Sequence, residues 1–246
     1  MEQEIFTSRR FESKYKISRF QYHQVKNALM PYVQSDPFTK AAPGHKYLVR
    51  SLYFDTPEYQ AYYEKINGDC NRVKFRIRTY SDSIENNPRI RVELKVRKGV
   101  IMEKYGTFVT LSQYQEFMEE WHWALENNPV LDEAERNVHL KHLQPKVLVE
   151  YFREGYQSRF MDDLRITFDD KVRSAFSKTL FPQEKIYFRS HHPQTIILEI
   201  KHYKKQPYWL RNIVQQHGLK IVANSKYVQG IEVACPEVVT PAWSHG

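Results

Sequence analysis

The sequence predicts an α+β fold in which antiparallel β-strands form a sheet and helices cover its apolar side. Three observations predict it. Runs of strict two-residue alternation recur along the chain, and such alternation marks a strand with one buried face. The polar face of these runs is mostly Lys and Arg, so charge gathers on one side of the sheet. Between the runs lie segments with apolar residues at helical spacing and capping residues at their ends.

Residues 9–17 form the first strand, with Arg10, Glu12, Lys14 and Lys16 on one face and Phe11, Ser13, Tyr15 and Ile17 on the other. Ser18 is an N-cap, and Phe20, Val25, Leu29 and Met30 suit the buried side of a helix ending at Pro31. Residues 35–45 hold two prolines and a glycine and read as a loop. Residues 46–55 are a strand whose apolar run is broken by Arg50, and Pro57 starts a short helix through Lys65.

The most regular stretch follows. Arg72, Lys74, Arg76, Arg78 and Tyr80 alternate with Val73, Phe75, Ile77 and Thr79. Arg89, Arg91, Glu93, Lys95 and Arg97 alternate with Ile90, Val92, Leu94 and Val96. Residues 81–88 between them are turn material, so the two strands form a hairpin with one apolar and one cationic face.

Residues 100–111 are another strand, with Glu103 and Lys104 at its centre, and Ser112 caps a helix over 113–126 that buries Phe117, Trp121 and Leu125. Residues 127–143 are polar and partly helical. No linker there forces a second domain, and the whole chain, 1–246, reads as one domain with its core at about 9–230. Residues 146–154 form a strand with Arg153 on the face of Tyr151. In 163–170, Leu164, Ile166 and Phe168 face away from Arg165, Thr167 and Asp169. Residues 186–190 give a short strand, and 195–202 the last clear one, with Glu199 and Lys201 on one face. A helix over 207–218 has Pro near its start and Gly after its end. Ser225-Lys226-Tyr227 lies in a loop or short helix, and the tail beyond Pro236 frays.

Composition narrows the class. A chain of 246 residues, 41% hydrophobic and 14% aromatic, can bury a full core. A net charge of +8 points to an acidic partner without choosing among nucleotide, polyphosphate, nucleic acid or membrane surface. Cys70 and Cys235 give neither a disulfide framework nor metal-ligand spacing. The acidic N-terminus is not a signal peptide, and no run approaches the ~18 apolar residues of a membrane span, so a soluble cytoplasmic protein is expected. Glycine-rich phosphate loops are missing.

Like charges opposite one another on paired strands repel, and something must offset that. Water and salt do so on an ordinary solvated face; a polyanion does so on a binding face, and phosphate matches the arginine fork. Three strands carry Glu-x-Lys: Glu12-Ser13-Lys14, Glu93-Leu94-Lys95 and Glu199-Ile200-Lys201. Each aims one carboxylate and one ammonium into the same space, and Arg50, Arg76, Arg78, Lys104, Arg153 and Arg165 add lone cations. Carboxylates amid so many cations suit Mn²⁺ or Mg²⁺, which take oxygen ligands, with phosphate bridging metal and cations. Such a sheet either exposes its charged faces to water or curls into a closed antiparallel barrel with the charges inside.

These blocks, in this order, resemble the VTC (vacuolar transporter chaperone) polyphosphate polymerase domain family, within the CYTH or triphosphate tunnel metalloenzyme superfamily. The resemblance runs from about residue 9 to about residue 227. Its carriers are Arg10-Phe11-Glu12-Ser13-Lys14-Tyr15, Val49-Arg50-Ser51-Leu52-Tyr53-Phe54-Asp55, Lys74-Phe75-Arg76-Ile77-Arg78-Thr79-Tyr80, Glu93-Leu94-Lys95, Tyr151-Phe152-Arg153, Arg165-Ile166-Thr167-Phe168-Asp169, Leu198-Glu199-Ile200-Lys201 and Ser225-Lys226-Tyr227.

The resemblance implies a closed eight-stranded antiparallel tunnel, helices outside, that moves the γ-phosphate of ATP onto a growing polyphosphate chain. By position it implies that Lys14, Arg76, Arg78, Lys95, Lys104, Arg153, Arg165 and Lys226 line the tunnel and hold phosphates. Tyr151 and Ser225 would help position them, and Glu199 would bind the divalent metal, Mn²⁺ or Mg²⁺. Lys201 joins the phosphate-holding set as the partner of Glu199 on its face, and Arg50 is added from strand position alone. The superfamily's opening Glu-x-Glu-x-Lys has Arg10 at its first position here, which favours the polymerase branch over tripolyphosphatase. The SPX domain and membrane helices of eukaryotic members are not read in this sequence, so a membrane partner stays open. The competing readings are a metal-dependent hydrolase of tripolyphosphate or nucleoside triphosphate, and a non-catalytic polyanion-binding module. Binding to nucleic acid is not expected, because the aromatics sit mostly on the apolar faces.

Overall fold

Two-residue alternation over so many segments leaves each strand with an apolar face to bury, and one sheet buries them together. The computed structural model describes residues 5–6, 11–85, 87–99, 101–125, 127–203 and 205–239. In chain order its elements are β1 (Ile5–Phe6), β2 (Phe11–Ser18), α1 (Arg19–Leu29), β3 (Val33–Ser35), α2 (Pro37–Ala41), β4 (Tyr47–Asp55), α3 (Gln60–Asn67), β5 (Arg72–Thr79), β6 (Ile90–Lys98) and β7 (Ile101–Val109). There follow α4 (Leu111–Glu120), α5 (Pro129–Lys141), β8 (Gln144–Ser158), β9 (Arg165–Phe176), β10 (Arg189–Ser190), β11 (Thr195–His202), α6 (Tyr208–Gln216), α7 (Lys226–Ala234) and α8 (Pro236–Val239). Arg9 and Arg10, placed on the first strand by the sequence, lie outside the described residues, as does the end of the tail.

The sheet runs β1-β7-β6-β5-β4-β8-β9-β11-β2, with β3 on β8 and β10 on β9, and its pairings are antiparallel. The long strands β2, β4, β5, β6, β7, β8, β9 and β11 are the eight of the expected tunnel. The fold is tunnel-like, α+β, with α1, α4, α5 and α6 outside, but the ladder does not close. Among the described residues β2 pairs with β11 and not with β7, while β1 lies on β7 with Ile5 opposite Tyr105. Two pieces of the N-terminal segment therefore belong to opposite edges of the sheet, and the seam falls between them.

Register sorts the side chains. On the outer face Leu52, Phe54, Phe75, Ile77, Val92, Leu94 and Leu148 pack with Tyr114 and Phe117 of α4 and Leu131, Ala134 and Val138 of α5. Further round, Tyr15, Ile17, Ile166, Phe168, Leu198 and Ile200 pack with Val25 and Leu29 of α1 and Leu210 and Ile213 of α6. A third cluster is on the inner face: Val49, Tyr53, Val147, Val149 and Tyr151 meet Tyr227 and Ile231 of α7 and Ala61 and Tyr62 of α3. Helix α7 thus packs against the inner side of the sheet, and it can come this close because Gly230 faces Val149, Val147 and Ser174, 3.1–3.3 Å from where a Cβ would stand.

Several boundaries differ from the sequence reading, for local reasons. Ser18 does cap α1, in a capping box with Gln21, but Phe20 is exposed and Tyr22 takes the buried position. The cap of α4 is Thr110, not Ser112, because Gln113 three residues on closes a capping box with it, and Trp121 in the left-handed region ends the helix. Asp55 replaces Pro57 as the organiser of α3: its carboxylate accepts from the backbone N–H of Thr56, Ala61 and Tyr62. The 35–45 segment contains α2, whose N-cap Asp36 accepts from the Thr39 N–H at 2.7 Å. Ser225 opens a full helix, α7, rather than a loop.

Candidate active site

Paired residues on neighbouring strands point the same way, so the register fixes which charges meet. Arg76 pairs with Tyr53 and Glu93, Arg78 with Ser51 and Arg91, and Lys95 with both Lys74 and Lys104. Lys14 pairs with Glu199, Glu199 with Thr167, and Arg153 with Asp169. All of these lie on the inner face. The curl brings strands distant in the sheet order together: Glu12 on β2 and Lys95 on β6 act on each other's ionisation across the interior. Lys95 is exposed to solvent, and the charges of Glu12, Lys14, Arg76 and Glu199 all act on it.

Two carboxylate centres organise the cations. Glu93 is buried, and Arg76 donates to it at 2.7 Å, with Arg78 and Arg91 each 3.7 Å away and Lys104 in direct contact. Burial alone would raise its pKa; the arginines and Lys104 hold it well below the usual carboxylate range. Tyr53 accepts from Arg76 at 2.9 Å and Ser51 from Arg78 at 3.0 Å, so both guanidiniums are held on two sides.

The second centre is Glu199 with Asp169. Around Glu199 stand Lys201 at 3.0 Å, Lys226 at 3.1 Å, Arg153 at 3.6 Å and Lys14 at 3.8 Å. Asp169, fully buried, takes a bidentate grip from Arg153 at 2.6 and 2.8 Å and a contact from Lys226. The cations hold Glu199 well below the carboxylate range against its burial. Burial is also the largest influence on the lysines: it depresses Lys201 to about 8, and Lys74 and Lys104 to about 7, the latter two with neighbouring cations acting in the same direction. Glu12 is held at about 2, because Lys14, Lys201 and Lys95 outweigh its desolvation.

The expected residues therefore separate into four groups. Lys14, Arg76, Arg78, Lys95, Lys104, Arg153, Lys201, Lys226, Tyr151 and Glu199 converge on the interior, with the Tyr151 ring beneath Arg153 and Lys226 at 5.2 and 4.7 Å. Arg165 stands on the same face at the rim, half-exposed, paired with Asp36 at 2.8 Å. Ser225 sits beside the site, but its hydroxyl caps α7, accepting from the Val228 N–H. Arg50 is the correction. It pairs in register with Glu150 on the outer face, donates to that carboxylate at 2.8 and 3.0 Å, and shares it with Arg173. Glu93, read in the sequence only as one of three Glu-x-Lys carboxylates, belongs to the interior, as do Asp169, Lys74 and Arg91, which the sequence reading does not assign to the site. Their parity with Lys95, Arg165 and Arg76 was the available signal.

Among the described residues no group of three His, Cys, Asp or Glu side chains is arranged to hold a metal. Glu199 is itself engaged by four cations, and two residues beside it carry neutral oxygens. The Thr167 hydroxyl, in register with Glu199, and the Asn224 side-chain oxygen, whose backbone carbonyl accepts from Lys14 at 3.0 Å, are buried without a protein hydrogen-bond partner. One carboxylate, neutral oxygens, water and substrate phosphates are what Mg²⁺ ordinarily takes.

Among the described residues no helix is long and apolar enough to cross a membrane. No curated protein matches the chain in sequence. In fold it is similar to a candidate adenylate cyclase from Bacillus halodurans, with TM-score 0.55, 14% identity, and 93% of this chain and 98% of that one covered. The PH1819 protein from Pyrococcus horikoshii OT3 aligns with TM-score 0.46 and 12% identity over 89% and 97% of the two chains. A model of the VTC domain matches residues 9–235. With that match, and with the cationic interior just described, the chain belongs to the VTC domain family, as a polyphosphate-related enzyme of the tunnel fold.

Proposed function

We propose that the protein is a polyphosphate polymerase that transfers the γ-phosphate of ATP to the end of an inorganic polyphosphate chain. The observation that carries this reading is the convergence of Lys14, Arg76, Arg78, Lys95, Lys104, Arg153, Lys201 and Lys226 on the inner face of the curled sheet. An isolated surface charge needs no such convergence; a multivalent anion is matched by it. Its partners in this reading are ATP and polyphosphate.

The reaction needs alignment and charge neutralisation more than covalent help from the protein. A terminal oxygen of the acceptor chain attacks the γ-phosphorus, a new P–O bond forms, and the bond to the β,γ-bridging oxygen breaks, with its electron pair leaving on ADP. Arg76 and Arg78, fixed by Glu93, Tyr53 and Ser51, hold equatorial oxygens without reorganising. Lys226, Arg153 and Lys14 hold the neighbouring phosphate, and Glu199 and Asp169 keep these cations apart and in place. Glu199, with Thr167 and Asn224, would hold Mn²⁺ or Mg²⁺. That ion supplies additional charge neutralisation on the phosphate oxygens when bound.

The test is one tube containing protein, γ-labelled ATP and Mn²⁺ or Mg²⁺, with chains resolved on a gel and orthophosphate counted. Labelled chains with matching ADP and little orthophosphate are expected. Orthophosphate without chains would make the protein a hydrolase, and neither product with tight polyphosphate binding would make it a binding module.

A further inference from the structure

Three aromatic residues gather at one end of the sheet instead of in its core. Tyr47 and Tyr80 are on the inner face of the sheet at the end where β4 begins and β5 stops, and Phe38 comes from α2 to meet them. Phe38 and Tyr80 are near-parallel, 15° apart in plane with centroids 6.3 Å apart. Tyr47 closes the group at 6.0 Å from each, edge-on to Tyr80. Phe38 is 61% exposed and Tyr80 40%, so the group is presented to solvent rather than spent on the core.

The group is also held rigidly at the entrance to the cationic interior. Asp36 donates its backbone N–H to the Gly155 carbonyl at 2.8 Å, and the Gly155 N–H donates to Thr39 Oγ1 at 2.7 Å. The Asp36 carboxylate lies where a Cβ on Gly155 would be, so only glycine lets α2 dock this closely. Arg165 ties the rim together, donating to Asp36 at 2.8 Å and to Tyr47 Oη at 3.3 Å. Tyr47 is opposite Arg153 in the ladder, and Tyr80 follows Arg78 by two positions on the same face. Aromatic faces therefore sit next to the guanidiniums of Arg78, Arg153 and Arg165.

We propose that Phe38, Tyr47 and Tyr80 form the base-stacking platform for the nucleoside of the triphosphate substrate, placing the base at the rim and its phosphates inside. This rests on the nucleotide reading above and specifies its binding site. A platform of this size takes one base, and stacking reads the π-face rather than the hydrogen-bonding edge, so it tolerates different bases. A role confined to packing α2 on the sheet would leave nucleotide and inorganic tripolyphosphate equally affected by its loss.

The experiment is calorimetric titration of two probes, adenylyl imidodiphosphate and inorganic tripolyphosphate, into wild type, Phe38→Ala, Tyr80→Ala and Phe38→Trp. Stacking worth about 1.4 kcal/mol makes each alanine variant bind the nucleotide about tenfold more weakly. Tripolyphosphate affinity stays within about twofold, and Phe38→Trp, which keeps a stacking face, restores nucleotide binding. Equal losses for both probes, or no change for the nucleotide in either alanine variant, would overturn the platform and leave the polymerase reading standing. If the wild type binds tripolyphosphate but not the nucleotide, the polymerase reading itself fails and the platform falls with it.

Discussion

Glu199 is a buried carboxylate within 3.8 Å of four cations, and what it does follows from that setting. Glu199→Gln removes the charge that holds Lys14, Lys201 and Lys226 in place and, in the proposed mechanism, the carboxylate that would hold Mn²⁺ or Mg²⁺. Turnover should fall by about 10²–10³, on the scale of other preorganised electrostatic groups, while tripolyphosphate still binds. Single-turnover rates and calorimetry on the same variant check both halves. The lysines make a pH prediction with two opposite signs. Lys74 and Lys104 titrate at about 7 and Lys201 at about 8 in the folded protein, below the ordinary 10.5. Between those values the unfolded chain binds more protons, so the ligand-free protein gains stability as pH rises from about 7 toward 10. A polyanion binds the protonated lysines, so its affinity falls over that window. Melting temperature and tripolyphosphate Kd at pH 7 and pH 9 should move this way: a higher Tm and a weaker Kd at pH 9.

Elements position these residues, and their placement can be broken one at a time. Gly155→Ala puts a methyl group where the Asp36 carboxylate lies, so β8 and α2 must separate. Loss of the buried hydrogen bonds there should cost about 1–3 kcal/mol, read as a lower denaturation midpoint, and Arg165 should lose its partner. What was legible in the sequence follows the same division. The eight long strands were, because a period of two survives wherever one face is buried. Their ends were not: β8 and β9 run on past the charged positions taken as boundaries, since ladder partners rather than composition hold them. Helix α2 and the docking of α7 were missed because both depend on single long-range contacts, Asp36 with Gly155 and Gly230 with Val149. The site was legible in its cations and less so in its carboxylates. Asp169 looks like any strand acid until Arg153 is seen across the ladder. Arg50 was legible and misplaced: it shares parity with Leu48, Leu52 and Phe54, which marks the covered face.

On the scale of the whole molecule, one sheet carries buried arginines on both faces, and the two faces do different things. On the outer face Arg50 and Arg173 neutralise the buried Glu150 locally. On the inner face the basic groups outnumber the carboxylates Glu12, Glu93, Asp169 and Glu199, and the surplus gathers on one side of the curled sheet. Arg50→Ala should therefore lower stability, through the buried Glu150 it leaves with Arg173 as its remaining partner, and leave the affinity of the folded protein for anions alone. The most direct measurement is the tripolyphosphate Kd of wild type, Arg76→Ala, Arg78→Ala and Arg50→Ala, titrated side by side under conditions where each is folded. The inner-face account predicts at least about tenfold weaker binding, ~1.4 kcal/mol, for Arg76→Ala and Arg78→Ala, and an unchanged Kd for Arg50→Ala. Equal Kd values for all four proteins, or a loss with Arg50→Ala as large as the others, would contradict it.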